Sequence, residues 1–214
     1  MPRKPRADAN KYKTLSSLEL AYKKHAGTIE AGLQNTGFHL DNQLSDREHK
    51  VFFNPATKKA VVAYRGTDMR DPKRIWSDLR SDFNIMLGRE KNDKRFQNAN
   101  AQFQQAVEKY KKQGYTLDTT GHSLGGSLAT HVNRSNPNQV RENLSFSRGA
   151  GFVEPFRKRP KNSWDYSHKH DLVSLGARLS KDERGSHEQS VVSQTKVKNA
   201  LNAHSMERLQ TEFM

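Results

Sequence analysis

Gly121-His122-Ser123-Leu124-Gly125-Gly126 is the stretch of this chain whose residue types and spacing could do covalent chemistry. A serine hydroxyl is a weak nucleophile. It must stand where a base can take its proton and a carbonyl carbon can reach it. A very sharp turn between a strand and a helix achieves this, and it leaves no room for side chains two residues before and after the serine. The flanks agree with that turn: residues 115–120 read as a strand and residues 127–133 as a helix. A helix starting behind Ser123 would also offer the Leu124 N–H and the positive end of its dipole to an oxyanion.

A nucleophilic serine needs a base, and the base needs an acid to orient it. In the chain order Ser, acid, His, both partners lie downstream of Ser123. Residues 162–168 read as a strand, and Asp171 stands just beyond its end, where a loop acid belongs. Asp165 falls in mid-strand and reads as a surface or structural carboxylate. Asp182 lies in a charged run that reads as a solvated loop. Of nine histidines, two follow Asp171. His187 is embedded in a polar stretch with nothing to fix an imidazole. His204 opens an amphipathic helix start, which could hold its ring in one rotamer, so His204 is the expected base. His122 adjoins the serine, but neighbours on a tight turn point apart, and it reads as a packing residue. Upstream, residues 58–64 form an apolar run of buried-strand character that ends in Arg65-Gly66-Thr67. The loop after such a strand is where a second oxyanion donor would sit, which nominates Thr67 beside Leu124.

These segments resemble the class 3 (fungal-type) lipases of the α/β-hydrolase superfamily, over about residues 45–210. Thr120-Gly-His-Ser-Leu-Gly-Gly126 is the most specific match, and Val61 to Thr67 is similar to the family's oxyanion strand. Residues 96–112 resemble the helix leading to the serine strand, and residues 144–148 resemble the next core strand. The resemblance implies an α/β fold, a mostly parallel central sheet with helices on both faces. It also implies an ester hydrolase acting on acyl lipids, of triacylglycerol lipase or phospholipase type. Ser123, Asp171 and His204 would form its triad, with Thr67 and Leu124 in its oxyanion hole, and no cofactor would be needed. The chain departs from the family where a tryptophan usually precedes an Asp-Leu pair. Here Trp76-Ser-Asp78-Leu79 and Ser81-Asp82-Phe83 compete for that place. Gly149-Ala-Gly151 also stands where a proline-containing turn is usual, and the chain is shorter than the secreted lipases and lacks their cysteines.

Composition bounds the rest. At 214 residues one domain is expected. Hydrophobic content of 33% and a mean hydropathy of −0.99 are low, yet the apolar residues gather in strand-like runs, which favours folding over disorder. No run of 18 apolar residues is present, which argues against a transmembrane helix. The basic start, Met1 to Arg6, has no apolar segment behind it and is not a secretory signal, so a cytoplasmic or particle-associated protein is expected. No spacing suggests a metal site.

Residues 1–13 read as a basic flexible tail and 14–214 as the single hydrolase domain. Leu15 to His25, with Leu15, Leu18, Ala21 and Tyr22 on one face, reads as an amphipathic helix. Residues 49–53 and 59–64 read as a hairpin. Residues 68–95 mix Trp76, Leu79, Phe83 and Ile85 with many charges, which suits either a lid or a surface helix with a buried stripe. The net charge of +14 would attract an anionic membrane surface or nucleic acid, the latter without sequence recognition. Against the hydrolase stands one rival from another class: a basic structural or particle-associated protein that keeps a hydrolase fold with little turnover.

Overall fold

The structure is a computed structural model, and it describes residues 8–21, 26–66, 94–149, 160–168, 170–171 and 190–193. Four helices and seven strands lie among them, in the order α1 (Ala9–Ala21), α2 (Ala26–Leu33), β1 (His39–Leu40), β2 (His49–Asn54), β3 (Lys59–Tyr64), α3 (Lys94–Lys111), β4 (Thr116–His122), α4 (Leu124–Ser135), β5 (Val140–Phe146), β6 (Ser163–His168) and β7 (Ser190–Ser193). The strands form one sheet in sequence order. β1, β2 and β3 pair antiparallel, and β3 through β7 pair parallel.

The hairpin read from the sequence is β2–β3. Its partners run from His49 with Tyr64 to Asn54 with Lys59. Strand β3 shows why the sheet is covered on both sides. Ala60, Val62 and Tyr64 face α3 and α4, while Val61 and Ala63 face α1 and α2, and all five are buried. That is the period-two alternation of a strand buried on both faces. The α3 side gathers Phe96, Phe103, Leu117, Leu124, Leu128 and Val132. The α1 side gathers Tyr12, Leu15, Ile29, Phe52, Leu144, Phe146 and Tyr166. The result is an α/β fold with a mostly parallel sheet and helices on both faces, as the sequence suggested.

Two parts of the sequence reading are corrected at the amino terminus. The flexible tail was expected to run to residue 13, but α1 begins at Ala9, and Ala9, Tyr12 and Lys13 are buried. The expected helix at Leu15 to His25 therefore lies too late, and α2 was not foreseen. The physical reason is a polar anchor that spacing along the chain does not reveal. Tyr12 donates to the buried Asp118 carboxylate in β4, and Arg141 from β5 grips both oxygens of that carboxylate. Burial, and then the Asp118 charge beside it, pushes the Tyr12 phenol far above its ordinary pKa, so it stays a donor. One turn later Ser16 bonds Thr120, again in β4.

The low hydrophobic content also finds its place. The face of β4, β5 and β6 turned to α4 is largely polar. Asn143, fully buried, lies with its amide within reach of Thr130, Ser145 and Ser163, and its carbonyl accepts from Thr119. Thr130 and Ser145 both donate to the Gly126 carbonyl in the first turn of α4. Hydrogen bonds that satisfy one another in this way let a polar core remain buried without the cost of orphaned groups. On the other edge, Lys109 and Tyr110 of α3 donate to Asp41. Burial alone would raise the Asp41 pKa, but those two bonds, with the Leu44 N–H and the Lys109 charge, outweigh it and hold the carboxyl below its usual range. The segment 68–93, where a lid was sought, lies outside the described residues.

Candidate active site

Strand β4 enters the centre of the sheet, ends at His122, and turns into α4 within a single residue, Ser123. Ser123 is held at φ 55° and ψ −123°, a left-handed backbone that a residue with a side chain rarely adopts. The flanking glycines make the turn sterically feasible. A Cβ on Gly121 would lie 2.3 Å from the Gly125 carbonyl carbon, and a Cβ on Gly125 would lie 2.0 Å from the Tyr64 carbonyl oxygen. Neither position can hold any other residue unless the backbone moves.

The turn is pinned from three sides. The Ser123 N–H donates to the Phe146 carbonyl at the end of β5. The Ser123 carbonyl accepts from Ser127 within α4 and from the Gly149 N–H, and the Ser127 hydroxyl donates to the Gly149 carbonyl. The Ser123 hydroxyl does not cap the helix. Because the intrahelical ladder starts only with the Ser127 N–H, the N–H groups of Leu124, Gly125 and Gly126 have no acceptor inside α4. They and the helix dipole make the region behind Ser123 favourable to negative charge.

The exit of β3 abuts this turn. A Cβ on Gly66 would sit 2.8 Å from the His122 carbonyl and 3.5 Å from the Ser123 Cβ. Arg65 is fixed there through its N–H to the Glu48 carbonyl, and its own carbonyl accepts from Arg95. Thr67, the next residue, lies outside the described residues, as do His187 and His204. Asp171 is described. It is fully buried in the turn after β6, and its N–H donates to the His168 carbonyl. Since β4, β5 and β6 run parallel, with His122 level with Phe146 and Phe146 level with Tyr166, Ser123 and Asp171 emerge at the same edge of the sheet. His122 is itself buried.

Of the three carboxylates weighed, Asp182 lies outside the described residues and Asp165 is a structural one. Arg148 donates to it through Nε at 3.0 Å and through a terminal nitrogen at 2.9 Å, and both side chains are about 2–3% exposed. The sequence reading missed Arg148. It leaves the end of β5 beside the turn, with its Cβ 3.3 Å from where a Cβ on Gly126 would be. Its predecessor Ser147 has φ 44° and donates to the Tyr166 carbonyl. Residues 147–149 thus strap the serine turn to β6. An arginine ending a strand carries no mark of which carboxylate it will meet, so spacing could not have found the pair. Among the described residues, no group of histidines and carboxylates could hold a metal ion.

The description "Lipase (class 3)" belongs to the family model that matches residues 61–174, more than half of the chain. None of the curated proteins matches the sequence. Among solved structures, the Lip2 lipase of Yarrowia lipolytica is similar with a TM-score of 0.58 at 14% identity, over 91% of this chain and 81% of that one. The lipase of Rhizopus microsporus var. chinensis is similar with a TM-score of 0.51 at 15% identity, over 78% of this chain and 68% of that one. At such identities the likeness is one of fold.

Proposed function

The chain belongs to the class 3 lipase family and is a lipase-type ester hydrolase, and from that premise we propose that Ser123, His204 and Asp171 carry its reaction. The observation that supports this most is the strained Ser123 turn, squeezed between Gly121 and Gly125 at the head of α4. Strain of this kind, over-determined by its surroundings, is what holds a nucleophile out of the ordinary backbone wells.

In this reading the Ser123 Oγ attacks the ester carbonyl of an acyl lipid while His204 takes its proton. The carbonyl oxygen becomes an oxyanion that accepts from the Leu124 N–H and from Thr67. Collapse expels the alcohol, which leaves with the proton returned by His204. Water, activated by His204, then releases the fatty acid and restores Ser123. Asp171 orients the imidazole and stabilises its charged form. Chain direction favours His204 over His187 as the base. Strand β7 starts at Ser190, level with Asp165, and reaches the serine's edge only at Ser193, so His187 precedes the strand and His204 follows it. The substrate class we propose is a carboxylic ester of an acyl lipid, of glyceride or phospholipid type.

A fluorophosphonate probe tests the reading directly. It should label the wild-type chain at Ser123 and leave Ser123→Ala unlabelled. The same substitution should cut turnover of a short p-nitrophenyl ester on the order of 10³-fold or more while the melting temperature holds. A Ser123→Ala variant that keeps a tenth of the rate would remove Ser123 from the mechanism. A wild-type chain that the probe ignores would favour the basic structural protein instead.

A further inference from the structure

We propose that the sheet edge opposite Ser123 binds the phosphate backbone of a duplex nucleic acid. Every parallel strand starts at that edge, and lysines cluster where they start. Lys58 precedes β3, Lys111 ends α3 and Lys112 follows it ahead of β4, and Lys161 precedes β6; all four are exposed. The first three form one patch. The Lys58 carbonyl accepts from the Thr116 N–H, the Lys58 Nζ lies 4.7 Å from the centre of the Tyr115 ring, and the Gly114 N–H closes the turn onto the Lys111 carbonyl. Among the described residues, nearby carboxylates do little to cancel it. Asp118 is buried under Arg141, and Glu142 lies 3.0 Å from the same guanidinium, which leaves Glu108 as the exposed acid of the last turns of α3.

The chemistry and the direction of this patch select its partner. Its charge attracts a polyanion, either a lipid surface or a nucleic acid. Strand β4 has seven residues, so about 20 Å of sheet separates the patch from Ser123. A membrane held at the patch would lie on the far side of the molecule from the serine, where it could not serve as substrate; this step rests on Ser123 being the reactive residue. Bases of a single strand would need aromatic rings to stack on, and Tyr110 and Tyr115 at this edge are buried. Among the described residues, what the patch offers is exposed ammonium groups, which suits duplex phosphates read without sequence.

The test uses the full chain and a fluorescein-labelled 20-base-pair DNA, followed by anisotropy over a range of salt. Log affinity should fall with log salt with a slope of roughly −3 if three lysines each displace a counterion. The triple variant Lys58→Glu, Lys111→Glu, Lys112→Glu should bind at least 10-fold more weakly near 0.1 M salt with a shallower slope, and the glutamine triple should fall between. Soluble-ester turnover should stay within twofold in both, which separates this proposal from the reading of Ser123. Unchanged duplex affinity in the triple variants would overturn the proposal. So would loss of binding to phosphatidylserine vesicles with duplex binding retained.

Discussion

At Ser123 a single residue carries two burdens, a left-handed backbone and a hydroxyl that leaves the helix uncapped. The partners proposed for it can be separated by substitution. Asp171→Asn and His204→Ala should each lower kcat on a soluble ester on the order of 10²-fold or more, while His187→Ala keeps most of it. A dead His187→Ala variant would move the base and leave the enzyme class intact. Asp165→Asn should act differently, because it weakens a buried bidentate pair. It should cost about 3–5 kcal/mol in urea unfolding before any effect on chemistry is read.

The buried His49 contributes to the acid limb of stability. Burial lowers the His49 pKa, and the attraction of Asp46, 2.9 Å away, only partly restores it; Lys50 opposes protonation further. Since the folded value is depressed, the unfolded chain takes up the proton first. The stability His49 contributes is complete above about pH 6.5 and is lost as pH falls from there through the folded value. Melting temperature should therefore drop between pH 7 and 5, and His49→Gln should flatten that part of the profile. Equal slopes in the two proteins would assign the acid sensitivity to other groups.

At the scale of elements, the serine turn is an agreement between β3, β4 and α4 over how closely backbones approach. Gly125→Ala would drive a methyl group against the Tyr64 carbonyl, and Gly121→Ala would drive one into the peptide of Gly125. Each should cost about 1–3 kcal/mol or more as the helix backs away from the strand, and each should lose ester turnover along with stability. Gly114→Ala makes the control. Its Cβ would meet no heavy atom within 4 Å, so only its φ of +76° penalises the change. A Gly125→Ala protein as stable and active as wild type would mean that α4 can shift without disturbing Ser123.

For the whole molecule, α1 is a structural layer rather than an appendage. Tyr12 ties it to Asp118 and Arg141, and Ser16 ties it to Thr120, both across the face of the central strand. Removing residues 1–13 takes away Ala9, Tyr12 and Lys13, all buried. Losing the Tyr12 ring alone should cost about 3–5 kcal/mol, which at this chain length corresponds to a fall of roughly 10 °C or more in melting temperature. A truncated protein that melts within a degree or two of the full chain would return those residues to the status of a tail.

The sequence determined the local features. The hairpin β2–β3, the serine turn and the strand before Asp171 were legible because each depends on neighbours a few residues apart, through period-two alternation and paired glycines, while the helix before β4 was expected from the family resemblance. The glycines at 121 and 125 even announced the close packing that the structure measures. What only the tertiary structure decided are the partnerships across long separations. Arg148 with Asp165, Tyr12 with Asp118 and Arg141, and Asn143 with Thr119, Thr130 and Ser163 are polar contacts between residues that nothing in the sequence links. A polar residue in a strand reads as a surface residue until its partner is known, because desolvation is tolerable only when the hydrogen bonds close. The start of α1 was misplaced for that reason. The gathering of Lys58, Lys111, Lys112 and Lys161 at one sheet edge was invisible for a related one, since parallel strands bring to one edge residues that the chain keeps far apart.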